Sequence, residues 1–206
     1  MKKTHIHLVR HGEVHNPRKI LYGRLPRFGL SANGRRQARE TGRFLGDRKI
    51  QAVFSSPLLR ARQTANEILS FQQRPTLHIS NHLNEVHTYF EGVPSDQVDR
   101  KRGDIYTGAG ADYEQPVDIF LRVDKFLRRM RRQFEGEEVA AVTHGDVVTF
   151  TALWALGWEL APHNKARLKA AGYPVGYPAH ASVTTLVFRS AAEDERPEIA
   201  YSQPWR

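Results

Sequence analysis

Two arginines, two histidines and a glutamate, Arg10, His11, Arg60, His144 and Glu85, have the types and placing to do phosphoryl chemistry. Arg10 and His11 stand just past a short β-type run, Ile6 to Val9. Arg60 lies one turn into a helix that follows a second run, Ala52 to Phe54, and His144 follows a further apolar run, Val139 to Val142. In a parallel sheet with right-handed crossovers the C-terminal strand ends share one edge, so these groups converge although they are distant in sequence. Guanidinium forks match phosphate oxygens, and the helix N-termini after Ser56 and His144 add amide donors, so the pocket suits a phosphoryl group. A neutral imidazole is a competent nucleophile, and neighbouring cations keep it neutral; His11 is the natural candidate. Attack on phosphorus also needs a proton for the leaving oxygen. Glu85, in Leu83-Asn84-Glu85-Val86-His87, is a carboxylate that a nearby phosphate dianion would push towards its protonated form.

The elements that must position these groups alternate strand, polar turn and helix. Ser31 caps a helix to about Leu45, stopped by Gly46, and Ser56-Pro57 reads as a cap and first helical residue of a second helix through about Leu69. Leu77 to Ile79 is a candidate third strand, and Asn81 to Asp112 is irregular, with a short helix near Ser95 to Arg102. From Pro116, the residues Ile119, Phe120, Val123, Phe126, Leu127, Met130 and Phe134 follow the helical period, and Gly136 ends the run. Val147 to Leu156 reads as an apolar helix, Pro162 to His180 as a Pro/Gly/Tyr-rich loop, and Ser182 to Phe188 as a last alternating strand. The expected fold is a single three-layer α/β/α sandwich with a mainly parallel central sheet. Residues 1–190 form that domain and 191–206 a charged C-terminal tail.

The chain has 206 residues, 40% hydrophobic and 26% charged, which suits one compact domain and excludes global disorder. Its 31 Lys and Arg against 22 Asp and Glu give a net charge of +9, which favours anionic partners. Cysteine is absent, so disulfides, thiolate metal sites and a cysteine nucleophile are excluded together. The basic start at Lys2-Lys3 is not followed by a signal-peptide core, and no stretch reaches membrane-spanning length, so the expectation is a soluble, cytoplasmic protein.

Leu8-Val9-Arg10-His11-Gly12-Glu13, Ser55-Ser56-Pro57-Leu58-Leu59-Arg60-Ala61-Arg62-Gln63-Thr64-Ala65, Leu83-Asn84-Glu85 and Val142-Thr143-His144-Gly145 resemble the four signature segments of the histidine phosphatase superfamily. The likeness runs from residue 6 to about 188. It implies that His11 is the phosphorylated nucleophile, that Arg10, Arg60 and His144 hold the phosphate, and that Glu85 is the proton donor and later the base for water. It further implies Asn16 and Gly23 as substrate-binding residues, although the loop is one residue shorter than the commoner family form. The stretch from Glu85 to Phe90-Glu91-Gly92 is also short, which makes Glu91 a rival carboxylate. No metal or other cofactor is needed in this mechanism, and the chain shows no acidic cluster resembling a magnesium site.

The expected function is a metal-independent phosphomonoesterase for a small phosphorylated metabolite, resembling the broad-specificity and α-ribazole-phosphate types. Phosphoglycerate mutases look longer between the glutamate and second histidine, which favours hydrolysis over phosphoryl transfer. The other alternative is a non-catalytic phospholigand- or RNA-binding module. The basic run Arg122, Lys125, Arg128, Arg129, Arg131 and Arg132 reads as the solvated side of an amphipathic helix, and with no nucleic-acid motif beside it a nucleic-acid partner is disfavoured. His5, His7, His15 and His87 read as strand-face and loop residues, Arg62 as a solvated helix arginine, and Tyr173, Tyr177 and Trp158 as a candidate pocket rim. No membrane partner is expected, and the sequence leaves a homodimer open.

Overall fold

The computed structural model describes residues 2–73, 75–101 and 103–206. Six strands form one sheet: β1 (Thr4–Arg10), β2 (Ile50–Ser55), β3 (Leu77–Ile79), β4 (Glu138–Thr143), β5 (Val183–Phe188) and β6 (Glu198–Ser202). Their order is β3-β2-β4-β1-β5-β6; the first four are parallel, and β5 and β6 add to β1 as antiparallel strands. The helices are α1 (Ala32–Gly46), α2 (Leu59–Leu69), α3 (Ser95–Arg100), α4 (Pro116–Gln133) and α5 (Gly145–Ala155), with short 3-10 segments at Asn81–Leu83, Pro162–Ala171 and Pro174–Gly176.

Alternation along the central strands builds the three layers. Ile6, Leu8, Phe54, Val139 and Ala141 pack under α4 and α5, while Val9, Val53, Ala140 and Val142 face α1 and α2 on the other side. The apolar stripe of α4 is buried as its period requires, and the helix opens with Pro116 and a reciprocal cap between Gln115 and Asp118. Helix α5 is buried nearly all round, as expected of a helix without a polar face. Ser31 caps α1 as the sequence predicts, its Oγ accepting from the Gly34 N–H at 2.9 Å. Among the described residues no helix is long and apolar enough to cross a membrane.

Three expectations are corrected. The second helix begins at Leu59 and not at Pro57, because Ser56 still extends β2: its N–H donates to the Val142 carbonyl at 2.9 Å and its hydroxyl is committed elsewhere. The segment expected as a charged tail carries β6, whose Ile199 and Tyr201 pack on the core and cover the edge of β5. Arg131 is not on the solvated side of α4; it is buried over the Phe188 ring and donates to the carbonyls of Ser190 and Ala192 and to Glu195. The short helix expected near Ser95 to Arg102 is α3; Arg102 itself lies outside the described residues.

Candidate active site

The C-terminal ends of β1, β2 and β4 meet at one edge of the sheet, and five predicted residues, His11, Arg10, Arg60, His144 and Glu85, are brought together there. His11 follows β1 directly and is locked to the neighbouring strand by its N–H, which donates to the Thr143 carbonyl at 2.9 Å. A carbonyl can only accept, so the 2.8 Å contact between His11 Nδ1 and the Gly12 oxygen places the ring proton on Nδ1 and leaves the lone pair on Nε2. Burial, with the charges of Arg60 and Arg10 and the adjacent His144, lowers the His11 pKa well below the usual imidazole value and keeps the ring neutral. The turn beneath it is tight: a Cβ on Gly34 would lie 2.0 Å from the Glu13 carbonyl oxygen, so the start of α1 approaches the His11 turn only because that residue is glycine.

Arg60, on the first turn of α2, is 1% exposed. It donates to the Gly23 carbonyl at 2.7 Å, lies 3.6 Å from Glu85 Oε2 and sits 4.7 Å over the Tyr22 ring. Arg10 donates to the Pro178 carbonyl at 2.7 Å and stacks 5.0 Å over the Tyr177 ring. The Nε atoms of both arginines are buried without a protein partner among the described residues, which leaves two guanidinium donors for an anionic ligand. His144 caps α5; its Nε2 meets the Ser56 hydroxyl at 2.8 Å, and its Nδ1 faces Arg60 at 3.3 Å and Glu85 at 3.4 Å. Burial and the surrounding arginines lower its pKa as well.

Glu85 follows the 3-10 turn at Asn81–Leu83, whose last carbonyl accepts from the Thr143 hydroxyl at 2.7 Å. Its own carbonyl accepts from Arg24 Nε at 2.8 Å and Arg122 at 3.3 Å, and Glu114 ties those two guanidiniums together at 2.8 and 2.7 Å. Burial raises the Glu85 pKa, Arg60 opposes the rise and Asp146 adds to it, so the carboxyl shifts towards the protonated form. Its rival, Glu91, lies under the backbone of Gly23 and Arg24, accepting from the Arg24 N–H at 2.5 Å, and does not line the cavity.

The cavity, about 470 Å³, is lined by His11, Arg10, Glu85, Tyr22, Tyr177 and His180, among others. Asn16 is at its wall, but its side-chain amide donates to the Ile20 carbonyl at 2.8 Å and braces its own loop. Gly23 enters through its carbonyl, as the anchor of Arg60. Of the three aromatic rim candidates only Tyr177 lines this cavity. Tyr173 is buried against Tyr201 and bonded to Thr184, and Trp158 packs under Arg167. His7 is a buried strand-face residue held between Thr185 and Glu138, as its alternation suggests.

Sequence reasoning missed the hydroxyl of Ser56, which passes as a helix cap, and it missed His180 and Asp146. Asp146 follows His144-Gly145 and is buried in a bonded cluster with Tyr106 and Lys165, the latter at 2.9 Å. A Cβ on Gly145 would lie 2.1 Å from the Tyr177 hydroxyl, so that glycine admits the ring to the cavity wall. His11, Glu85 and His144 also present three ligand atoms within 4.8 Å of one another. The guanidiniums of Arg60 and Arg10 beside them repel a cation and favour an anion.

The family model described as histidine phosphatase superfamily, branch 1, matches residues 6–185. A protein of Mycobacterium tuberculosis strain H37Rv, Rv0525, is 36% identical over 213 residues, covering 98% of both chains. A Bacillus subtilis protein described as the uncharacterized phosphatase PhoE is 29% identical over 147 residues, 70% of this chain and 74% of its own. The solved structure of the mycobacterial glucosyl-3-phosphoglycerate phosphatase Rv2419c shares the fold at a TM-score of 0.78 and 21% identity, covering 98% of this chain and 99% of that one.

Proposed function

The chain belongs to the histidine phosphatase superfamily, and from that premise we propose that it is a phosphomonoesterase working through a phosphohistidine at His11 without a bound metal. The observation that carries the reading is the state of His11: a buried neutral ring with its proton on Nδ1 and its Nε2 lone pair free, flanked by two guanidiniums. Nε2 attacks phosphorus as the ester P–O bond breaks, and Arg10, Arg60 and His144 take up the charge on the equatorial oxygens. Glu85, its pKa raised by burial, gives its proton to the leaving oxygen. The resulting carboxylate then takes a proton from the water that attacks the phosphohistidine, which returns His11 and Glu85 to their starting states.

A second cavity of about 780 Å³ adjoins the first across Leu21, Ile105, Asp146 and Tyr177 and gives the leaving group a place to lie. Its size supports a substrate larger than a three-carbon acid. Phosphatases among the similar proteins, PhoE and the glucosyl-3-phosphoglycerate enzyme, favour release of phosphate over its transfer.

The test is hydrolysis of an aryl phosphate in chelator-containing buffer by the native chain and by His11→Ala. Turnover is expected to survive chelation and to vanish in the variant. Loss on chelation with recovery on adding a divalent ion would overturn the metal-free mechanism. Phosphate appearing on a second hydroxyl compound would identify a mutase, and phosphate-ester binding without turnover a recognition module.

A further inference from the structure

Arg10 has a cradle that the catalytic reading does not use. Its two terminal nitrogens donate to the Pro178 carbonyl at 2.7 Å and to His180 Nε2 at 3.0 Å. A guanidinium only donates, so His180 accepts on Nε2 and carries its proton on Nδ1. Burial, with the charge of Arg10, lowers the His180 pKa to about 3, which agrees with a neutral ring that accepts from the guanidinium.

The cradle is itself held from a distant part of the chain. The Tyr201 hydroxyl accepts from the Ala179 N–H at 3.1 Å, and the Trp205 indole donates to the His180 carbonyl at 2.8 Å. Next along, Ala181 sits at φ 52°, a left-handed conformation that is unfavourable for a residue with a Cβ. It is pinned there by its own N–H, which donates to the His11 carbonyl at 3.2 Å, and by the Thr41 hydroxyl, which donates to its carbonyl at 2.5 Å. A strained residue bonded on both sides fixes where His180 points.

We propose that His180 is a positioning residue for Arg10, and that Tyr201 and Trp205, in and just after β6, hold it in place, so that the C-terminal segment is part of the phosphate site. The chemistry explains the choice of imidazole. A carboxylate in this position would hold Arg10 equally well but would cancel its charge before phosphate arrived. Two uncharged acceptors, a carbonyl and a neutral ring, fix the guanidinium and leave its positive charge for the ligand. The inference rests on the reading of Arg10 as a phosphate ligand.

The experiment is calorimetric titration of the full chain with inorganic phosphate, with thermal unfolding of each variant alongside. Arg10→Ala should weaken binding, and His180→Ala should weaken it roughly tenfold to a hundredfold, the range for losing a hydrogen bond to a charged group. His180→Gln, whose amide oxygen reaches the position of Nε2, should restore affinity to within about threefold. Trp205→Phe should fall between. Unchanged affinity in His180→Ala while Arg10→Ala loses it would overturn the inference and leave the site reading intact. Equal losses in His180→Ala and His180→Gln, matched by equal falls in thermal stability, would reduce His180 to a packing residue and also overturn it. No change in Arg10→Ala, or no phosphate binding by the native chain, would overturn the site reading itself.

Discussion

At the proposed phosphate end of the cleft, the rings of His11 and His144 are buried and that of His180 is half-buried, all three with lowered pKa values, around two guanidiniums. At the other end, where the proposed leaving group would lie, Asp146 is buried with its pKa lowered. Burial alone would raise its pKa, but Lys165 and the Tyr106 hydroxyl outweigh that and hold it low. The Lys165 ammonium in turn lies 5.2 Å from the ring centroids of Tyr106 and Phe150. One end sets two guanidiniums against a single carboxyl, Glu85, and so keeps an excess of positive charge for a ligand, while the other pairs one ammonium with one carboxylate. The first arrangement suits binding a dianion and changing its bonds; the second suits holding loops, since it ties the segments around Tyr106, Lys165 and Tyr177 to the start of α5.

The sharpest test of that contrast is Glu85→Gln, at the phosphate end. For alkyl phosphates, whose leaving oxygen needs a proton, kcat should fall by roughly a hundredfold or more, while an activated aryl phosphate should lose far less. Equal losses on both esters would remove Glu85 as the proton donor. At the other end, Asp146→Ala leaves the half-buried Lys165 without its partner and should cost about 2 kcal/mol in denaturant unfolding. Phosphate affinity should stay within about threefold of native; a collapse of that affinity would show that the two ends are not independent.

Acid should reach the two ends in separate windows. The buried histidines have folded pKa values below 6.5, so the unfolded chain binds more protons as pH falls below 6.5. Stability should then drop by up to roughly 1.4 kcal/mol per pH unit for each such ring. The contribution of Asp146 is present above its unfolded value of 3.8 and is lost only as pH falls through its lower folded value. Unfolding free energies measured from pH 7.5 to 5 should show the first decline, and a flat profile there would mean the rings are not held neutral. The smallest effect is expected for Glu114→Gln, which loosens the Arg24 and Arg122 grip on the Glu85 carbonyl. It should slow alkyl ester turnover a few-fold, in line with about 1 kcal/mol for a hydrogen bond weakened.

The phosphate end was the legible one. Arg10, His11 and His144 each follow an apolar strand run, Arg60 opens a helix after another, and parallel topology gathers such positions without further information. Glu85 was legible as a carboxylate in the right motif, but not the two guanidiniums that hold its carbonyl. His180 was hidden by direction: it precedes a strand, and only because β5 runs antiparallel to β1 does the beginning of β5 lie at the edge where β1 ends. The Asp146 cluster was hidden by distance, since Tyr106 and Lys165 sit in segments with no period to read. Arg131 and β6 mislead in a related way. A charged residue looks solvated until the chain that covers it, here Ser190 to Glu195, is placed.

The position of β1 bears on how the protein comes to be active at all. Its two neighbours are β4 and β5, so His5 pairs with Glu138 on one side and Val187 on the other. During synthesis the strand that delivers His11 therefore waits, with both edges open, until most of the chain has been made. Pairings of such long range form late and slowly. A chain that stops short of β5 leaves β1 paired on one side only, with β4, and lacks the Ala181 N–H that bonds the His11 carbonyl, so the turn that carries His11 is completed last and β1 is left with an open edge until then.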